Sequence, residues 1–131
     1  MALTLADSNR IMAAAIAKAE ELNIKVSVAV VDAGGRLVGL QRMDGAIWAS
    51  AYGCQGKAVA SAAFGRASGE MQDRATAPTP AGIRERSGSE MIFGQGAVPI
   101  TSGGAVVGAC GVGGGTSEED EQCAAAGAAV L

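Results

Sequence analysis

Val98-Pro99-Ile100-Thr101-Ser102-Gly103-Gly104-Ala105-Val106-Val107-Gly108-Ala109-Cys110-Gly111-Val112-Gly113-Gly114-Gly115-Thr116 is the stretch whose reading decides the fold. Pro99 to Thr101 has the composition of a strand, Ser102 to Gly104 that of a turn, and Ala105 to Val112 that of a longer strand. Three glycines then break the strand. Thr116 follows as a helix N-cap with Glu118, Glu119 and Asp120 behind it, where the exposed N–H groups of a first turn favour carboxylates. The stretch therefore reads as a β-hairpin feeding a terminal helix.

Glycines 111 and 113–115 sit between strand and helix, as in a dinucleotide-binding loop. Such a loop needs a βαβ unit of ~30 residues and an acidic residue ~20 positions later for the ribose. Here the chain ends sixteen residues after Gly115, and the run Glu118 to Glu121 would repel an anion at the helix start. Tight reversal and close approach of helix to sheet are the simpler use of these glycines.

Upstream, Ser27 to Leu40 echoes the same spelling: strand, Asp32-Ala33-Gly34-Gly35 turn, then a returning strand from Arg36 to Met43. Lys25 to Val31 is apolar or small on both faces, which predicts a covered sheet, with helices on one side and a second subunit helping to cover the other. The two hairpins are expected to form one antiparallel sheet. Thr4-Leu5-Ala6-Asp7 resembles a capping box and opens an amphipathic helix through about Leu22.

Between Gly45 and Gly65 only Lys57 is charged. Gly53, Gly56, Gln55, Ser50 and Ser61 make this segment too weakly hydrophobic for a membrane span, and a buried helix is expected. Arg66 to Ala97 is richer in charge and holds Pro78 and Pro80. It reads as a short helix around Glu70 to Ala75 and then irregular chain through Ala77-Pro78-Thr79-Pro80, forming a cover for a pocket.

The chain has 131 residues, enough for one domain with a real core. Twenty residues are glycine, while one Trp, one Tyr and two Phe are the only aromatic rings. The core must therefore rely on close backbone approach and on Val, Ile and Leu. A net charge of −3 without a basic cluster argues against nucleic acid. Three cysteines without CxxC spacing read as buried thiols in a reducing compartment. No basic leader precedes the first helix, so a cytoplasmic protein is expected. Histidine is absent, which removes Ser-His-Asp triads, the usual zinc sites and His-ligated haem; no metal site is expected.

Lys57 is the leading candidate for chemistry. A lone ammonium in an apolar helix is costly unless paired or at a pocket edge; desolvated, it can act as a base or form a Schiff base. The plainer alternatives are snorkelling to solvent, or pairing with Asp44 or a neighbouring subunit. Arg42 and Arg66 bracket the same helix and suit a carboxylate-bearing small molecule, with Asp44 as a proton acceptor if it faces the same pocket. Trp48 and Tyr52, one turn apart, share a face that is either core or a ligand wall. Gln95 and Gly96, just before the Val98 strand, would line the mouth.

Several of these pieces resemble the GlcG/HbpS family, whose domain is described as haem-degrading or haem-binding and also forms the C-terminal part of PduO-type proteins. They are Leu3 to Asp7, Val28 to Gly35 with Leu37-Val38, Arg42 to Ala46, Lys57-Ala58, Phe64 to Arg66, Val98 to Ile100, and Val107 to Gly113. The resemblance spans residues 1–131 nearly throughout and implies an α/β (α+β) domain. Its fold would be a profilin-like antiparallel sheet with packed helices, assembling as a homo-oligomer, an octamer in some members. It also implies a small-ligand-binding protein that takes haem or another tetrapyrrole. Without histidine, Tyr52, Cys54, Met43, Met71 or Met91 would have to ligate the iron. The alternative is a cofactor-independent isomerase or lyase acting on a small carboxylate-bearing metabolite, with Lys57 or Asp44 moving protons and Arg42 or Arg66 holding the acid.

Overall fold

The structure, a computed structural model, describes residues 2–131. In chain order these are α1 (Leu5–Glu21), β1 (Ser27–Asp32), β2 (Leu37–Arg42), α2 (Ala49–Phe64), a 3-10 helix (Ser68–Arg74), α3 (Pro78–Arg86), β3 (Ala97–Ser102), β4 (Ala105–Gly113) and α4 (Ser117–Ala128). The strands form one antiparallel sheet in the order β2-β1-β4-β3. The two hairpins expected from the Gly-Gly spellings thus lie side by side, joined through their inner strands. In the first turn the Asp32 carboxylate accepts from the Gly34 and Arg36 N–H groups at 2.9 and 3.0 Å.

Alternation along β1 sorts its side chains onto two faces. Val28 and Val30 join Ile11, Ala15, Cys110, Val112 and Cys123 in a core beneath α1 and α4. Ala29 and Val31 join Cys54, Ala58, Met71 and Ala109 in a second core beneath α2. Helices of the same chain therefore cover both faces. This corrects the expectation of helices on one side only: α1 and α4 pack on each other as well as on one face of the sheet, while α2, with the 3-10 helix beside it, covers the opposite face.

Small residues set the spacing of that second layer. A Cβ on Gly111 would strike the Cys54 carbonyl oxygen and Ala58, so α2 lies with its backbone against the backbone of β4. Burial along α2 takes Ser50, Cys54 and the run from Gly56 to Ala62. The helix starts at Ala49, four residues later than Gly45, and ends where Gly65 adopts a left-handed backbone. Arg42 closes β2, and Asp44 and Gly45 belong to the turn that follows.

The reading of residues 77–80 as irregular chain is overturned. Pro78 and Pro80 lie in the first turn of α3, whose leading N–H groups have no helical partner in any case. The short helix expected around Glu70 is the 3-10 helix Ser68–Arg74. At the other end of the chain, Thr4 and Asp7 form the expected reciprocal capping box at 3.0 and 3.1 Å. The Thr4 backbone N–H, donating to the Asp7 carboxyl, holds it below its ordinary range, with the Thr4 side chain adding to the effect. Among the described residues no helix is long and apolar enough to cross a membrane.

Two glycine substitutions distinguish close approach from mere helix content. Gly111→Ala is expected to lower unfolding free energy by about 2 kcal/mol or more, because backbone must move. Gly53→Ala has open space around its new methyl and is expected to raise it by about 0.5–1 kcal/mol. Urea unfolding of the two variants checks both.

Candidate functional site

The outward face of α2 carries what its inward face has no room for. Trp48 occupies the N-cap position and Tyr52 follows one turn later; their rings meet edge to face at 5.8 Å and 80°. Both stay largely in solvent, with 69% and 71% of their surface exposed. They wall an open hollow of about 450 Å³ whose other sides are Leu40 and Arg42 from β2 and Ala51 and Gln55 from α2. That volume lies within the range of small-molecule sites. Arg42 takes part in no ion pair among the described residues. The hollow thus offers one free guanidinium beside two aromatic surfaces, a combination suited to a flat organic acid.

Asp44 lies on the other side of Arg42. It lines a separate, more polar depression with Ile16, Glu20, Lys25, Arg42 and Met43. Arg66 is exposed just beyond Gly65, at the far end of α2. Sixteen helical residues, about 24 Å at the usual rise, separate it from the Arg42 end, so the two arginines do not converge.

Lys57 is buried, and its partner is neither Asp44 nor another subunit. Its Nζ lies 3.2 Å from Asp120 Oδ2 and donates to the Gln95 carbonyl oxygen at 3.3 Å. Asp120 accepts on its other oxygen from the Gly115 N–H at 2.8 Å. Gly96, at φ +145°, gives the ammonium its space, since a Cβ there would meet Nζ. Gln95 and Gly96 therefore hold Lys57 and do not line the hollow at Trp48. The Gln95 side chain reaches Glu121 instead, at 3.3 Å. Asp120 is the residue that sequence reading missed. With Cys123, Ala124 and Gly127 it repeats at helical spacing on the buried face of α4, which was the available signal.

The glycine loop also receives its assignment. Gly115 N–H is held by Asp120, and Thr116 N–H by Glu119 at 3.0 Å. The chain's own carboxylates occupy the helix N-terminus, leaving no cradle for a phosphate.

The donor set bears on iron. Cys54, Cys110 and Cys123 are buried free thiols. Burial lifts Cys54 and Cys110 to about 12 and Cys123 to about 11, so thiolate is withheld. Met71 and Met91 are core residues, and the Met43 sulfur accepts from the Val26 N–H at 3.4 Å. Of the expected ligands only the Tyr52 phenol faces the hollow. Among the described residues no group of three or more Cys, Asp or Glu could hold a metal ion. A flat, acid-bearing ring with one oxygen donor beside it fits these residues.

A family model described as "Haem degrading protein HbpS-like" matches residues 3–129. A protein of Citrobacter freundii, described as an uncharacterized 15.0 kDa protein in the dhaT-dhaS intergenic region, is 34% identical over 120 residues. The match covers 90% of this chain and 84% of that protein. Among solved structures, a double mutant of Streptomyces reticuli HbpS is 33% identical, with a TM-score of 0.88, over 100% of this chain and 88% of that one. A structure titled as a complex of PduOC with haem is 26% identical, also at 0.88, over 100% and 96%. Klebsiella pneumoniae ORFY is 31% identical at 0.87, over 96% and 88%.

The ion pair and the thiols yield one test each. Lys57→Ala strands a buried carboxylate and is expected to cost about 3 kcal/mol or more, whereas Lys57→Met with Asp120→Asn recovers most of that loss. Urea unfolding of the single and double variants reads the difference. In the folded protein at pH 8 none of the three thiols is expected to react with a thiol-exchange reagent on a timescale of minutes. All three react in denaturant.

Proposed function

The chain belongs to the HbpS-like family, and from that premise we propose that it binds a haem-type tetrapyrrole in the hollow between β2 and α2. One observation carries the reading: two aromatic side chains and an unpaired arginine stand in solvent around one depression, in a chain otherwise short of rings. Arg42 would take a propionate, Trp48 and Tyr52 would line the ring, and the Tyr52 phenol would offer the iron an oxygen donor. A bound haem supplies a redox-active iron. The chain's own part is to orient the ring through Arg42 and, by burying its thiols, to keep thiolate away from the metal. The PduOC relative's structure with haem supports the same ligand class.

Ile47 and Ile92 extend the apolar surface beside the aromatic pair. A second copy of the chain seated on this exposed apolar surface would close the hollow and hold the ligand between subunits of a homo-oligomer. Three buried free thiols support a reducing, cytoplasmic setting. The isomerase or lyase reading would use the separate depression where Asp44 and Arg42 meet, and Lys57 lines neither.

Titration with haemin is expected to give a shifted Soret band that saturates stoichiometrically. Arg42→Ala and Trp48→Ala each weaken uptake about tenfold. Tyr52→Phe weakens haemin more than metal-free protoporphyrin. Absence of any Soret change or uptake sinks the reading.

A further inference from the structure

The hollow at Arg42 continues beyond Tyr52. A second depression of about 300 Å³ shares Tyr52 and Gln55 with it and runs past Gly35, Gly56 and Val59 to Ser89, Glu90 and Ile92. Arg42 meets Trp48 at one end, and Gly35 meets Val59 at the other. The combined groove follows α2 for about 16 Å at ~1.5 Å per residue. Its ends carry opposite charge, Arg42 at one and Glu90 at the other.

Glu90 is held in place from both sides. After α3, Gly88 and Ser89 take left-handed backbones, φ +93° and +59°, and Ser89 N–H donates to the Arg84 carbonyl at 2.9 Å. A serine in that conformation costs about 1 kcal/mol, so its surroundings impose the turn. Two residues beyond Glu90, Ile92 N–H donates to the Gly56 carbonyl at 3.0 Å. The Ile92 side chain rests where a Cβ on Gly56 would collide with it. The turn is thus pinned to α2 through its backbone, and Glu90 lines the groove's far end, with Arg36 across the adjoining depression. Glu90 takes part in no ion pair among the described residues.

We infer that Glu90 determines which porphyrins the groove accepts, admitting rings whose acids share one edge and rejecting rings with an acid on every side. The inference rests on the tetrapyrrole reading above. With its acids toward Arg42, a ring of the first kind turns an apolar edge to Val59 and Ile92, and Glu90 opposes nothing. A ring of the second kind sets a carboxylate beside Glu90, in a groove where walls of low polarity weaken screening.

The full chain is titrated with protoporphyrin, whose two acids share an edge, and with coproporphyrin, which bears one on each pyrrole, both metal-free and followed by fluorescence. Protoporphyrin is expected to bind about three- to tenfold more tightly at low salt, with the ratio falling as salt rises. Glu90→Gln brings the ratio toward one, and Glu90→Lys turns it toward coproporphyrin. If the unaltered chain binds both equally, or the ratio ignores Glu90→Lys, the selectivity inference is overturned while the groove stands. If it binds neither, the selectivity inference falls, and haemin uptake decides the tetrapyrrole reading separately.

Discussion

The contact of α2 with β4 at Gly111, backbone against backbone, sets the terms for the rest of the molecule. With no Cβ between them, helix and strand come so near that the inner face of α2 admits only Ser, Cys, Gly, Ala and Val, apart from the aliphatic stem of Lys57. Bulk is displaced outward. Trp48 and Tyr52 cannot enter this layer, so they stand on the outer face, and the edge strand β2 completes a hollow around them. The same closeness explains how a lysine from the middle of α2 can reach Asp120 on a helix across the sheet's end. It crosses where Gly96 leaves a gap.

Much of the fold was legible because it was written in short-range patterns. The Gly-Gly turns at 34–35 and 103–104 fixed two hairpins, and Thr4 and Thr116 fixed two helix starts. Misreadings arose where a local rule had two outcomes. Pro78 and Pro80 break a helix interior but suit a first turn, and nothing nearby distinguishes the two. The two-sided apolarity of β1 announced a covered sheet without saying what covers it, and α1 with α4 on one face and α2 on the other proved to be the answer. Within the site, Arg42, Trp48 and Tyr52 were legible as types, and only folding shows them around one hollow. Lys57 was legible as costly, while its partner lies 63 positions away. Spacing along the chain carries no information over that distance. Arg66 and Asp44 were drawn to Lys57 by sequence proximity, which a rigid helix defeats.

Family membership and local chemistry answer different questions here. The HbpS-like match spans residues 3–129 and accounts for the sheet order and the helices on it. It does not by itself supply ligands, because those depend on individual side chains. In this chain the absence of histidine, the buried sulfurs and the exposed phenol together leave oxygen as the metal-ligating atom type that lines the hollow.

Burial of the cysteines has a consequence beyond packing. Imidazole and thiol are the side chains that most often change charge close to neutrality, and this chain has none of the first and has lifted all of the second to about 11 or 12. The protein is thereby deaf to ordinary swings of acidity through these two groups. Where uptake of a guest varies with pH around neutral, neither imidazole nor thiol is its source, and the ionisable groups of the guest are the first place to look for the titrating proton.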